Sequence, residues 1–355
     1  MSLSNGFNAS IRLSETREFR SFASRVEWLE GRRGVAGGSD VAKIVGLAPE
    51  AWGSPLSVWM SKTGVVPIVD DPTPWQEWGH RHEPAIARAW GDQMAPHSDG
   101  CDGIWRLGDG DNAAEVMVVA DGWRGCTPDR IAHVDGEWIA VELKTVAERM
   151  SADWADGVPD YYRAQALWTA DVLGVDRVDV AVLVGLSDFR IHTIRASEHA
   201  DDLAWLKAET AAWWERHVVG LVAPPAVAAS DVDAVKLRFP RSVESAVELD
   251  DEAVADLAQL VDVSAQLKRL ESAKKVLQAR IGSVLGDAER GTRDGRTLVT
   301  WRSDRTPCPA KERDRLVEKR DALDAEIAEI DAGTWSPSNP TRRFLSKAAE
   351  IAEVA

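Results

Sequence analysis

Acidic and basic residues at a fixed spacing mark the segment Cys126–Thr145, which reads CTPDRIAHVDGEWIAVELKT. In it, Asp129 follows a proline, and Glu142 and Lys144 stand two residues apart. Because alternate side chains of a strand point to opposite faces, Glu142 and Lys144 share one face. The dipeptide Asp135–Gly136 separates two segments rich in β-branched and aromatic residues, which predicts a hairpin turn. Such a hairpin would bring Asp129 towards the other two side chains at one end of a sheet.

These residue types favour metal-assisted hydrolysis of a phosphodiester. Two converging carboxylates repel each other, and a hard divalent cation such as Mg²⁺ relieves the repulsion through oxygen ligation. The metal lowers the pKa of bound water and neutralises charge on a scissile phosphate. Lys144 would orient the attacking water or stabilise the transition state, and Leu143 would add its backbone carbonyl as a ligand. The alternative is a solvated strand edge, because 28% of the residues are charged and this pattern occurs often by chance.

Two residues elsewhere in the chain extend this candidate site. Glu83 lies in WGHRHEPAIARAW, on a predicted helix, and a third carboxylate would suit a second metal ion. Gln165 lies on a predicted helix that begins just after Pro159. The alternatives are a surface charge for Glu83 and a surface or capping residue for Gln165. We do not expect His80 and His82 to bind metal, because residues two apart on a helix do not share a face.

The elements that would position these residues follow an order typical of an α/β domain. Helices are predicted over residues 17–30, in VAKIVGL with Ser39 or Asp40 as N-cap, in SPLSVWMSKTG and in TPWQEWGHRHEPAIARAWGDQM. A hairpin segment at 115–145 is followed by a helix in DYYRAQALWTADVLG and paired strands in VDVAVLVGL and FRIHTIRA. A last helix contains Leu203, Leu206, Trp213 and Trp214. Of the 16 tryptophans, we expect most, including Trp168 and Trp205, to pack in the core rather than stack on bases.

The composition changes after about residue 220. We predict a domain over residues 1–222, a linker over 223–250 and a helical arm over 251–355. In the arm, Val263, Leu270, Leu277 and Val284 recur every seven residues, as do Leu316, Leu323 and Ile330. Such heptads predict a coiled-coil-like helical hairpin, and GTRDGRTLVTWRS between them predicts a small β-hairpin. We expect the arm to serve packing or oligomerisation.

Composition and charge restrict the classes of protein that fit this chain. A formal net charge of −16 argues against nonspecific nucleic-acid binding, although bound metals or a basic groove can hold phosphate in an acidic protein. One basic patch near the start contains Arg17, Arg20, Arg25, Arg32 and Arg33. The three cysteines lack the spacing of a zinc site or a disulfide framework. No run reaches the roughly 18 apolar residues of a membrane span, and the N-terminus lacks an apolar signal core. We therefore expect a cytoplasmic protein that does not associate with membranes.

Several motifs in a fixed order resemble one family of nucleases. They are GRRGVAGGSDVAKIVGL, SPLSVWMSKTG, WGHRHEP, CTPDRI, AVELKT and YYRAQALWTADVLGVDRVDVAVLVG. Together they resemble the YqaJ-type viral recombinases, relatives of phage lambda exonuclease within the PD-(D/E)xK superfamily. The resemblance covers about residues 25–220, and the ordered set is far more specific than any one motif. It implies a restriction-endonuclease-like α/β core, with a central mixed β-sheet flanked by helices.

The resemblance also implies a role for each candidate residue. Asp129, Glu142 and the Leu143 carbonyl would bind Mg²⁺, for which Mn²⁺ substitutes. Lys144 would assist the nucleophilic water. Glu83 would be the acid carried on a helix, and Gln165 would be the glutamine of the helix that follows the hairpin.

A 5′-phosphate pocket for a DNA end is implied as well. The family places an arginine seven residues before a serine in the glycine-rich segment, which corresponds to Arg32 and Ser39, with Thr127 as a weaker candidate. A guanidinium and a hydroxyl near a helix N-terminus form an anion site. The alternative is a tight glycine turn with Ser39 only as an N-cap. Two positions depart from the pattern: Arg130 replaces a frequent glycine and Thr169 a frequent tyrosine, which puts substrate handling in doubt rather than metal binding.

The function that the resemblance implies is a Mg²⁺-dependent DNA exonuclease. It would resect linear double-stranded DNA from a 5′ end and leave a 3′ strand for a single-strand annealing recombinase. The lambda relatives form rings, which suggests a homo-oligomer. One alternative is a structure-specific or restriction-like endonuclease on the same core. The other is a non-catalytic scaffold that binds DNA ends.

Overall fold

A computed structural model describes residues 17–68, 70, 72–94, 101–105, 115–302 and 309–331. The helices are α1 (Arg25–Gly31), α2 (Gly38–Ile44), α3 (Pro55–Lys62), α4 (Pro74–Met94), α5 (Asp160–Leu173), α6 (Ala200–Trp213), α7 (Asp231–Arg238), α8 (Asp251–Leu285) and α9 (Pro309–Asp331). The strands are β1 (Arg17–Phe22), β2 (Ala36–Gly37), β3 (Cys101–Trp105), β4 (Glu115–Ala120), β5 (Arg124–Cys126), β6 (Arg130–Val134), β7 (Glu137–Val146), β8 (Arg177–Val184), β9 (Asp188–Arg195), β10 (Arg290–Arg293) and β11 (Arg296–Thr300).

The central sheet contains the predicted hairpin. Its strand order is β3-β6-β7-β8-β9, with β7 and β8 parallel and the other neighbours antiparallel. The turn between β6 and β7 has positive φ at both Asp135 (52°) and Gly136 (81°). This is the backbone geometry of a type I′ turn, whose twist matches that of the two strands.

Alternation along β7 decides which helix covers which face of this sheet. Val141 and Leu143 pack in a buried cluster with Trp90 of α4. Ala140 belongs to a second buried cluster, which contains Leu167 of α5. The predicted α/β core, a central mixed sheet flanked by helices, is confirmed. Since even-numbered residues of β7 face α5, the candidate catalytic side chains lie on the α5 side.

A second sheet was not predicted from the sequence. Its order is β1-β4-β5-β2, and β1 pairs antiparallel with β4. The helix predicted over 17–30 is therefore wrong in its first part: residues Arg17–Phe22 form a strand, and α1 begins only after Ser24, whose hydroxyl accepts a hydrogen bond from the Glu27 amide. The segment 115–145 likewise divides between the two sheets instead of forming one hairpin. Pairing with the apolar strand β4 outweighs the weak helical pattern of a segment rich in arginine.

Helix α2 begins earlier than its predicted N-cap. Gly37 is the N-cap, and Asp40 lies in the first turn, where its carboxylate accepts a hydrogen bond of 2.9 Å from the Gly37 amide. The prediction of Ser39 or Asp40 as N-cap is wrong by two or three positions. A Cβ at Gly38 would lie 3.0 Å from the Cγ of Gln165, so glycine there permits the close approach of α2 to α5.

The prediction that most tryptophans are buried holds for some of them. Trp90 and Trp168 are fully buried, and Trp214 is nearly so. It is wrong for Trp205, which is 46% exposed on α6. On α4 the apolar face is buried only in its second half, and Trp78 is 56% exposed.

The chain divides into two units, Met1–Phe239 and Pro240–Ala355. The second unit has the elements predicted for it, because α8 is followed by the antiparallel pair β10–β11 and then by α9. A Cβ at Gly282 would lie 2.1 Å from the Trp301 ring, so glycine lets the hairpin pack against α8. The seam residues Leu267, Leu270 and Leu277 are 56–68% exposed. Coiled-coil pairing and the domain limits at 222 and 250 therefore stay predictions. No helix in the described ranges is long and apolar enough to cross a membrane.

Candidate active site

The register of the hairpin places the first carboxylate beside the second. Arg130 pairs with Val141, so the preceding Asp129 lies opposite Glu142. The Leu143 amide donates a hydrogen bond of 2.8 Å to Oδ2 of Asp129, which fixes the carboxylate at the strand end. An antiparallel pair joined by a two-residue turn thus brings together acids that are 13 positions apart in the sequence.

A single amine contacts both carboxylates. The Nζ of Lys144 lies 2.9 Å from Oε2 of Glu142 and 3.7 Å from Oδ2 of Asp129. The Glu142 side chain is buried, whereas those of Lys144 and Asp129 are partly accessible. The structure therefore brings together the three residues that the sequence singled out first.

Helix α5 holds the buried carboxylate from above the sheet. Nε2 of Gln165 donates a hydrogen bond of 2.8 Å to Oε2 of Glu142, and Oγ1 of Thr169 donates one of 3.3 Å to Oε1. Residues four apart on a helix share a face, so both donors reach the same carboxylate. In the sequence, Thr169 stood out only as a departure from the family pattern, and its contact with Glu142 was missed.

Burial and charge set the protonation of this group. Burial raises the pKa of Glu142; the Lys144 ammonium opposes the rise, and the Asp129 carboxylate adds to it. Burial disfavours the charged amine of Lys144, but Glu142 and Asp129 outweigh it and hold the pKa of Lys144 well above its ordinary value. The group thus combines two converging carboxylates with one firmly protonated lysine.

The donor set fits a hard divalent cation. Two carboxylates close enough to share one amine repel each other, and oxygen ligands of this kind suit Mg²⁺. Within the described ranges, however, no group of three Asp, Glu, His or Cys side chains could hold a metal ion. The ligands would therefore be Asp129, Glu142 and the predicted Leu143 carbonyl, without a third carboxylate.

Glu83 does not form a three-carboxylate metal group with the two other acids. It lies on α4, which packs against the opposite face of the sheet from α5. Its Oε1 is 2.7 Å from Nδ1 of His80, and its Oε2 is 3.9 Å from the Arg130 guanidinium. Arg130 also donates to the carbonyl of Asp129, so it links Glu83 to the site. A second metal at Glu83 remains a prediction.

A cavity of about 140 Å³ lies beside this group. Its lining includes the three predicted phosphate residues, Arg32, Ser39 and Thr127. Arg32 donates a hydrogen bond of 3.0 Å to the Ser39 hydroxyl, and Nε1 of Trp28 donates one of 3.2 Å to Thr127. Gln165 and Thr169 line the same cavity, so the side chains that hold Glu142 form part of its wall.

Two arginines of the predicted basic patch bind backbone carbonyls. Arg17 donates to the carbonyls of Asp171 and Val172, and Arg33 donates to the carbonyl of Val66. Of the five arginines in the patch, Arg32 is the one that lines the cavity.

A buried ion pair supports the cavity and was missed in the sequence. The Nζ of Lys62 lies 2.6 Å from Oδ2 of Asp40 and donates a hydrogen bond of 2.9 Å to the Arg32 carbonyl. The same Oδ2 accepts from the Gly37 amide. One lysine therefore ties together the backbone segments that carry Arg32 and Ser39. Its only signal in the sequence is a lysine that follows a run of apolar residues in α3.

We expect Lys62→Met to lower the free energy of unfolding by about 3–5 kcal/mol, because it leaves the Asp40 carboxylate buried without its partner. Urea unfolding followed by circular dichroism measures the change. The control is Lys236→Met, which removes an exposed pair with Asp233 of 3.0 Å and is expected to change stability by less than about 1 kcal/mol. Equal small losses in both variants would contradict a supporting role for the buried pair.

The same pair gives a pH dependence of stability. Burial opposes ionisation of Asp40, but the charges of Lys62 and Arg32 outweigh it and hold the pKa of Asp40 well below its ordinary value of 3.8. A lowered folded-state pKa stabilises the fold above the ordinary value, and that contribution is lost as the pH falls below it. We expect the deficit of Lys62→Met to be larger at pH 7 than at pH 3, since acid neutralises the unpaired carboxylate.

Comparison with known proteins finds a family similarity within the first unit. Residues 27–176 match the model of the YqaJ-like viral recombinase domain. A protein of Bacillus subtilis (strain 168), described as the uncharacterized protein YqaJ, is 27% identical over 273 residues, which are 76% of this chain and 80% of that protein. The resemblance predicted from the ordered motifs is confirmed.

Two solved structures also overlap this chain. An alkaline exonuclease (LHK-Exo) from Laribacter hongkongensis is 15% identical and covers 54% of this chain and 91% of its own, with a TM-score of 0.40. The complex of LHK-Exo with dAMP is 14% identical, covers 55% of this chain and 99% of its own, and has a TM-score of 0.36.

Proposed function

We propose that this chain, which carries a YqaJ-like viral recombinase domain in residues 27–176, is a divalent-metal-dependent DNA exonuclease. Its substrate would be linear duplex DNA, degraded from a 5′ end to leave a 3′ single strand for an annealing partner. The observation that carries the proposal is the convergence of Asp129, Glu142 and Lys144 beside a cavity lined by Arg32 and Ser39. A hydrolytic group and an anion site with a common wall suit the end of a DNA strand.

Asp129, Glu142 and the Leu143 carbonyl would hold Mg²⁺, or Mn²⁺ in its place. A bound divalent cation supplies Lewis-acid chemistry, because it polarises the phosphodiester and makes water more acidic. Gln165 and Thr169 donate hydrogen bonds to Glu142, which favours the ionised form that a metal requires. Burial raises the pKa of the same carboxyl, so these donors offset part of its cost.

Lys144 would act as a cation beside the two carboxylates. Glu142 and Asp129 hold its pKa well above the ordinary value, so the amine keeps its proton at neutral pH. A protonated amine can orient a water molecule by donating a hydrogen bond to the water oxygen. It can also stabilise negative charge that develops on the phosphate.

The cavity would set the polarity of digestion. Arg32 and Ser39 lie near the start of α2, where a guanidinium, a hydroxyl and backbone amides suit a terminal phosphate. A 5′-phosphate held there would place the first phosphodiester next to Glu142. The site of action would be the cytoplasm of a bacterial host, and a homo-oligomer would keep the enzyme on its strand.

Digestion of duplexes labelled at the 5′ or the 3′ end tests this proposal. With Mg²⁺ we expect early release of the 5′ label as a mononucleotide and no cutting of closed circular DNA. Cleavage of intact circles would favour the endonuclease alternative. Binding of DNA ends without any digestion would favour the scaffold alternative.

We expect Arg32→Ala to lower kcat/KM on 5′-phosphorylated ends by about 10- to 100-fold, the effect of losing one charge-assisted hydrogen bond. Ends with a 5′-hydroxyl should change little, because they lack the charge that the guanidinium binds. Arg33→Ala is the matched control, since that neighbouring guanidinium bonds to the Val66 carbonyl. An equal loss on both kinds of end would reject the phosphate pocket.

A further inference from the structure

An aromatic cluster begins at the catalytic lysine. The Nζ of Lys144 lies 5.5 Å from the centroid of the Tyr162 ring, within the range of a cation–π contact. Tyr162 lies in the first turn of α5, and its ring is 4.6 Å from that of Tyr161 and 5.5 Å from that of Trp154. Trp154 is fully buried, so it fixes the inner side of Tyr162.

The cluster continues to the surface at Trp52. This residue ends a short 3₁₀ turn, Glu50–Trp52, and its ring lies 4.9 Å from Tyr161 and 5.4 Å from Tyr162. Trp52 is 43% exposed, although two tyrosine rings pack beside it. Trp52, Tyr161 and Tyr162, here called the aromatic wall, thus extend from the Lys144 amine to an exposed indole.

The rings of the aromatic wall suit the bases of a nucleic acid. The phenol of Tyr161 is neutral, and burial together with Tyr162 and Asp153 raises its pKa to about 12. Every base has a π-face, and stacking on aromatic side chains is tolerant of sequence. A nonspecific nuclease needs this kind of contact, because hydrogen bonds to base edges would restrict it to one sequence.

The distances place the wall within reach of the strand being cut. Two ring contacts separate Lys144 from Trp52, by way of Tyr162. A strand of a duplex advances about 3.4 Å per nucleotide and an unpaired strand extends further, so at most about three nucleotides span that path. If a phosphodiester lies at Lys144, a flanking base lies at the wall.

We propose that Trp52 and Tyr161 form a stacking site for an unpaired base of the cleaved strand, within about three nucleotides of the scissile phosphate. The inference rests on the proposed nuclease function, because that function places DNA at Lys144. It assigns to Trp52 a binding role that is independent of sequence and separate from metal binding. Tyr162 is a positioning residue between this site and the amine.

The test pairs a protein change with a substrate change. Fluorescent forked duplexes with a 5′-phosphate carry one abasic nucleotide at each of the first four positions in turn. For the wild-type full chain, we expect one position to weaken binding by about 5- to 100-fold, the effect of one lost stack. For Trp52→Ala, that abasic substitution should cost little more, because the stack is already absent. Trp52→Phe should retain most of the wild-type pattern.

Trp205→Ala is the control, since its indole is similarly exposed, at 46%, on α6. It should leave the wild-type abasic pattern unchanged, and circular dichroism checks that each variant is folded. Equal abasic penalties in the wild type and in Trp52→Ala would overturn the stacking site. If Trp52→Ala does not fold, Trp52→Phe and Trp52→Leu replace it. We then expect the wild-type abasic pattern in Trp52→Phe and its loss in Trp52→Leu.

Digestion of the same forked duplexes separates this inference from the proposed function. The abasic pattern in binding without any release of nucleotides would sustain the stacking site and overturn the exonuclease. Release of nucleotides without the pattern would sustain the exonuclease and overturn the stacking site.

Discussion

Glu142→Gln is expected to lower Mg²⁺-dependent digestion of linear duplex DNA by about 10³-fold or more, because the site loses a charged metal ligand. Glutamine keeps the shape of the side chain and can still meet Gln165 and Thr169. Lys144 keeps a second carboxylate partner, Asp129, at 3.7 Å, so we expect the fold to survive the loss of this charge. Activity should therefore fall while the unfolding curve in urea stays close to that of the wild type.

The control for this change is Glu137→Gln on the same strand. Glu137 lies at the other end of β7 and pairs with Arg195 at 3.1 Å, away from the candidate site. It should keep digestion within about twofold of the wild type, since a partly exposed pair contributes little. A fully active Glu142→Gln enzyme would remove this residue from the catalytic group.

Lys144→Met is expected to lower the rate of digestion by about 10²- to 10³-fold without loss of metal binding. Methionine fills similar space but cannot orient water or stabilise charge on a phosphate. Because the ammonium competes with a cation for Asp129 and Glu142, its removal should leave Mn²⁺ affinity unchanged or higher. Isothermal titration with Mn²⁺ and steady-state digestion provide the two measurements.

A loss of digestion without a loss of Mn²⁺ affinity would show that Lys144 acts in the reaction and does not only hold the carboxylates in place. Lys207→Met, which removes a 2.8 Å pair with Asp171 on α5, is the control and should change neither readout. If Lys144→Met lost metal binding together with digestion, the lysine would serve only to hold the carboxylates. Undiminished digestion would exclude it from the reaction.

The candidate catalytic group was predictable because its geometry is local. The turn at Asp135–Gly136 fixes the register of one hairpin, and strand alternation then assigns Glu142 and Lys144 to one face. Asp129 follows from the same register. Three residues of the site therefore depend on one turn and one periodicity, both of which are visible in the sequence.

Contacts between distant segments were not predictable in this way. The pair of Asp40 with Lys62 joins α2 to α3, and no local pattern specifies which buried charge meets which. Thr169 appeared as a departure from the family, and its bond to Glu142 requires the packing of α5 on the sheet. Glu83 lies on α4, which packs on the other face of the sheet, and its Oε2 is 3.9 Å from the Arg130 guanidinium. In the sequence, Arg130 stood out only because it replaces a frequent glycine.

The second sheet was missed for a related reason. Strand β1 is rich in arginine and short, and its strand character comes from pairing with β4 nearly a hundred residues later. Propensity over one window cannot report such a partner. Helix α8 shows the opposite case. Its heptad pattern is clear, but seam residues such as Leu267 and Leu270 stay exposed in the described part of the unit.

The most direct test of a metal-dependent hydrolytic centre at Asp129, Glu142 and Lys144 is mononucleotide release from a 5′-phosphorylated linear duplex with Mg²⁺ as the sole divalent cation. The full chain should release nucleotides from the 5′ end, stop when the metal is chelated, and lose the activity on Asp129→Asn. Absence of release by the wild-type chain, or full release by Asp129→Asn, would contradict it.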